Sequence, residues 1–101
     1  WAAVQAFVPN LAAVLSGRGD AAAAEGEWGF AHRCHSLALI ALPDHAPSLL
    51  GMAHAHARND PHAAVLFLDR AARGGADPDA LRTDPRFSGL RDMPGFDRLG
   101  K

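Results

Sequence analysis

A chain of 101 residues suffices for one small domain with a modest core, and 49% hydrophobic against 21% charged residues argues against an intrinsically disordered polymer. Ten basic residues against eleven acidic ones leave a net charge of −1, with the basic residues scattered along the chain. Nucleic acid and anionic membrane surfaces are therefore poor partners, because both demand a concentrated positive field.

No apolar run reaches the ~18 residues of a membrane span, and no charged-then-apolar leader resembles a signal peptide. The single cysteine, Cys34, has no internal disulfide partner and cannot make a cysteine-based zinc site, which favours a reducing, cytoplasmic setting. Lys101 is the only lysine, and alanine fills about a fifth of the chain, a bias that points to a GC-rich bacterial source. The start at Trp1, without an initiator methionine, suggests a trimmed or partial chain.

Proline and glycine punctuate helical patterns throughout, whereas β-branched alternation is nearly absent, so the fold class expected is all-α. Residues 1–8, closed by Pro9, are expected to be the tail of a preceding helix, with Trp1, Phe7 and Val8 forming an apolar end. Gly17 and Gly19 each cost about 1 kcal/mol in a helix interior, so a break is expected there, with Arg18-Gly19-Asp20 in a turn and Asp20 capping a new segment. A helix from about Gly26-Glu27 to Leu42 should turn Trp28, Ala31, His35 and Ala38 inward. The next, capped by Asp44 and running to about Arg58, should bury Leu49, Met52, Ala53 and His56. Asp60-Pro61 opens another helix, with Ala64, Leu68, Ala71 and Ala72 on one face and Gly74-Gly75 at its end. Beyond it, Pro85, Phe87 and Leu90 are echoed at a constant offset by Pro94, Phe96 and Leu99, two short helical turns whose apolar residues drop into a groove.

A single internal period, the length of one helix–turn–helix unit, runs through the middle of the chain. It relates Pro9 to Pro43, Leu15 to Leu49, Gly26 to Asp60 and Ala38 to Ala72. A one-residue deletion in the second turn then aligns Ala31 with Ala64 and His35 with Leu68, which keeps an apolar face. On Gly26-Glu27-Trp28, Ala31, Ala38-Leu39 and Pro43, the first unit resembles the second half of a tetratricopeptide repeat. Small alanines there let antiparallel helices approach while the aromatic fills the gap.

The resemblance implies a short solenoid of antiparallel helix pairs. Residues 1–9 would end a preceding helix, 12–45 and 46–79 would be repeats, and 80–101 a capping tail like the Asp-Pro-Arg-Phe endings of bacterial relatives. It also implies binding on the concave side formed by the first helix of each pair. In the second unit Leu50, His54 and Arg58, spaced four apart, would project there with Ala57 beside them, and Arg58 would pair with an acidic group of a peptide. The lysine and asparagine clamp that some members use for chaperone tails is absent, the matching places holding Ser16, Asp20, Leu50 and His54.

Six histidines invite a metal or acid–base role, yet their placement dilutes it. His32 and His35 share a helix face, but His35 falls where the repeat buries an aromatic. His54 and His56 lie about 200° apart around a helix, so His54 should face outward and His56 pack. Cys34 is expected to be an inert, partly buried thiol. The pairs Glu25 and Glu27, and Asp77 and Asp79, suit helix starts. No phosphate loop, dinucleotide fingerprint or zinc-protease motif occurs.

The expectation is a non-enzymatic protein–protein interaction scaffold without metal or cofactor, whose partner is a protein or peptide. Two alternatives stand beside it. One is an accessory or oligomerisation domain of a larger enzyme, self-associating or packing on its parent through the N-terminal end; the other is a histidine-based metal protein or hydrolase.

Overall fold

Five α-helices carry the chain as far as Thr83 in the computed structural model, which describes residues 2–100 and their side chains from Val8 onward. They are α1 (Ala2–Ala24), α2 (Trp28–Ala41), α3 (Ala46–His56), α4 (Pro61–Arg73) and α5 (Pro78–Thr83). Two 3-10 turns, Pro85–Leu90 and Phe96–Arg98, complete it, and the described residues contain no strand, so the all-α expectation holds. None of these helices is long and apolar enough to cross a membrane.

Local chemistry places most of the helix ends. Ahead of α4, an oxygen of the Asp60 carboxylate accepts the Ala63 backbone N–H at 3.2 Å, and Pro61 occupies the first turn, where its missing donor costs nothing. Asp77 likewise accepts from the N–H of Asp79 ahead of α5. α1 and α4 both finish on a glycine with positive φ, Gly26 at 78° and Gly75 at 116°. In each case the next residue donates back along the chain, Glu27 to Ala22 and Ala76 to Ala71, so a left-handed residue closes the last turn. Two cap assignments are corrected: His45, not Asp44, precedes α3, which ends at His56 short of Arg58. Glu27 holds the cap position of α2 without a side-chain hydrogen bond, and Glu25 lies in the turn after α1.

The larger correction concerns α1. The helix is continuous through Pro9, Gly17 and Gly19, so Arg18-Gly19-Asp20 is helical and Asp20 caps nothing. Glycine penalties are local and small, and at Gly19 the penalty is outweighed by the close packing on His35 that the missing side chain permits. Ala12, Ser16, Gly19 and Ala22 form a buried stripe of small residues, and along it α1 approaches both α2 and α3. Trp1 and the side chain of Phe7 lie outside the described residues; Val8 is half-buried.

Successive helices pack on one another: α1 on α2, α2 on α3, α3 on α4. The second pair and the tail share one apolar core, in which Leu49, Ala53, Ala64, Leu68 and Ala71 meet Leu81, Phe87, Leu90, Phe96 and Leu99. Both tail echoes thus bury their Phe and Leu. The Gly100 N–H donates to Asp69 at 2.9 Å, tying the tail to α4, and the Arg73 guanidinium beside Asp69 helps hold that carboxyl below the usual range.

Two outcomes are expected from urea unfolding. Phe87→Ala, at a side chain with no exposure, should cost about 3–5 kcal/mol through the cavity it leaves. Gly17→Ala, where an added Cβ meets nothing within 4 Å, should stabilise by roughly 0.5–1 kcal/mol through helix propensity.

Candidate functional site

α2 carries the one histidine that is fully enclosed among the described residues. His35 is 1% exposed, and its ring lies between two glycines on neighbouring helices, Gly19 of α1 and Gly51 of α3. A Cβ added at Gly19 would come 2.5 Å from Nε2, and one at Gly51 closer still. Neither contact leaves room for any side chain. The nearest counter-charge is Asp20, whose Oδ1 lies 3.3 Å from Nε2, and neither ring nitrogen has a well-aligned hydrogen-bond partner. Two further buried hydroxyls, Ser16 and Ser48, come from the helices that supply the glycines. Burial pushes the His35 pKa below its ordinary value, the Asp20 carboxylate opposes this, and His45 and His54 add to the lowering.

Asp20, 54% exposed, links this wedge to the surface. There the Trp28 and His54 rings meet edge to face with centroids 4.9 Å apart, and the Arg58 guanidinium stacks 4.4 Å from the Trp28 centroid. The tail adds Asp84 and Arg86. Arg86 Nη2 donates to Asp84 Oδ2 at 2.8 Å, Nε bridges both carboxylate oxygens, and the Arg86 backbone N–H donates to Oδ1 at 2.9 Å. This grip holds the Asp84 carboxyl below the usual range and raises Arg86. Burial lowers the His54 pKa, Arg86 and Arg58 push it the same way, and Asp20 and Asp84 oppose them. His54 is therefore a neutral ring among fixed charges at neutral pH.

Of the four residues expected to bind a partner, His54 and Arg58 come together here. Leu50 and Ala57 are half-buried and pack against the core of the second pair. Trp28, Asp84 and Arg86 join the cluster unannounced by the sequence, where Trp28 is expected to face the core and the Asp84-Pro85-Arg86-Phe87 segment is valued for its phenylalanine alone.

Two further histidines, His32 and His56, build a separate ladder with Phe67. His32 meets His56 edge to face at 5.2 Å, and His56 stacks on Phe67 at 5.5 Å, so His56 packs as expected. Among the described residues no group of three or more His, Cys, Asp or Glu side chains converges as a metal site would require. Cys34 is more buried than expected, at 5% exposure. No family model, no curated protein and no solved structure matches the chain.

The buried wedge predicts a pH dependence. An unfolded chain takes up a proton on His35 near the ordinary 6.5, whereas the folded chain does so only at lower pH. Between those values the unfolded state binds more protons, so stability is full above 6.5 and declines as the pH falls below it. His54 acts in the same sense, while the depressed carboxyls of Asp69 and Asp84 begin to matter only near and below 3.8. Urea midpoints should drop from about pH 7.5 to about pH 5.5, and His35→Leu should lose part of that slope.

Proposed function

We propose that the chain is a non-catalytic, tetratricopeptide-like scaffold that binds a peptide or protein partner at Trp28, His54, Arg58 and Arg86. The observation that carries this reading is the state of Arg58. Arg58 is exposed, its guanidinium lies over an indole, and no carboxylate pairs with it among the described residues. A cation fixed in this way has lost much of its rotamer freedom before binding, so a carboxylate arriving from a partner gains a charge-assisted bond at lower entropic cost. Trp28 supplies an apolar platform next to it, and the neutral His54 ring offers both a donor and an acceptor.

Support for a repeat-like scaffold comes from the packing order, in which each helix packs on the next across a short turn and α2 serves both of its neighbours. In this reading the end of α3 and the turn after it present the binding face through His54 and Arg58, while Leu50 and Ala57 pack against the core. The partner is an extended or helical segment with one acidic side chain or a free carboxyl terminus beside an apolar residue. Cytoplasmic residence in a bacterium belongs to the same proposal, on the free cysteine and the alanine- and arginine-rich composition.

Selection from a randomised peptide library displayed on phage, with synthetic peptides measured by calorimetry, tests it. Enriched peptides should share an acidic position, and Arg58→Glu and Trp28→Ala should each weaken them by about tenfold or more. A library that yields no binder, or binders indifferent to Arg58→Glu, contradicts the proposal.

A further inference from the structure

The two ends of the molecule are finished differently. At one end the tail closes over the second helix pair with Phe87, Leu90, Phe96 and Leu99, all buried. At the other, nothing among the described residues covers the outer face of the first pair. Of the six large hydrophobics left exposed among the described residues, Leu11, Val14, Phe30, Leu37 and Ile40 belong to α1 and α2, and only Leu66 to α4. Val14 is 56%, Leu37 53% and Ile40 78% exposed, so apolar surface is concentrated on the first pair.

The internal period tells what this face is shaped to receive. Gly51 of α3 lies against the His35 ring of α2. Gly17 stands one period earlier on α1, and an added Cβ there would meet nothing within 4 Å. The face that α3 buries on a neighbouring helix is thus open on α1. Beside it, a shallow groove of about 220 Å³ at the α1–α2 turn is lined by Arg18, Ala21, Glu25, Glu27 and Phe30.

We propose that this face binds a second copy of the chain across a two-fold axis. A two-fold interface must be complementary to itself, and this patch is: it sets one arginine and two carboxylates beside exposed Val14 and Phe30. Arg18 of each copy meets Glu25 and Glu27 of the other, while the small Ala21 lets the two α1 helices approach closely. Head-to-tail growth would need an open face at the far end. The tail closes that face, so assembly stops at two.

Sedimentation equilibrium of the whole chain, from micromolar to millimolar concentration, should give a monomer–dimer equilibrium and no larger species. Arg18→Glu alone, and Glu25→Arg with Glu27→Arg, should each raise the dimer dissociation constant about tenfold or more, because like charges then face each other. Mixing the two variants restores both pairings and should recover dimerisation. Far-UV circular dichroism establishes that each is folded, and if either loses helicity, Val14→Gln at its exposed position serves instead, with the same tenfold weakening expected. A wild-type chain that stays monomeric throughout, open-ended oligomers, or a dimer unmoved by these substitutions would each overturn the proposal.

Discussion

An imidazole ring occupies the point where the first three helices meet, and their spacing follows from it. His35 projects from α2 into a slot whose walls are bare backbone, Gly19 on one side and Gly51 on the other. Protein interiors tolerate neither overlap nor voids, so a ring of this size at a helix crossing requires that both neighbours give up their side chains. The second pair meets the same demand with a different exchange. Leu68 takes the place of His35, and Ala53, one period after Gly19, takes the place of the glycine, both fully buried in one core.

The choice of a histidine for this position gives the molecule an electrical connection between core and surface that a leucine would not. Enclosed and neutral, the ring faces the Asp20 carboxylate, which also acts on His54, and His54 lies against Trp28 under the influence of Arg58 and Arg86. Tail and first pair both contribute to the charged cluster: Asp84 and Arg86 come from the segment that closes the apolar core, Asp20 from α1. Stability and the candidate binding face therefore belong to one packing arrangement.

What the sequence revealed follows the range of the forces involved. Caps, prolines and glycines act within a few residues, and Asp60, Asp77 and Gly75 could be assigned to helix ends from neighbours alone, with Gly26 placed in a turn. The burial of Phe87, Leu90, Phe96 and Leu99 was equally legible, because a regular echo of apolar residues has few other uses. The course of α1 was not. Local propensity argues for a break at Gly17 to Gly19, whereas the reason for Gly19 lies on the next helix, in His35. Trp28, Arg58 and Arg86 come from three separate segments, so no spacing within any one of them announces the cluster, and Leu50 follows the predicted helical face yet is drawn toward the core beside it.

The wedge is tested most directly by a double-mutant cycle between Gly51→Ala and His35→Ala, with stability measured by urea unfolding. With the ring in place, Gly51→Ala should destabilise by about 1–3 kcal/mol, because the new methyl and the imidazole claim the same space. In the His35→Ala background the same change should be neutral or stabilising, giving a coupling on the order of 1–3 kcal/mol between the two positions. Equal effects of Gly51→Ala in both backgrounds would contradict the account, since the glycine would then owe nothing to the histidine.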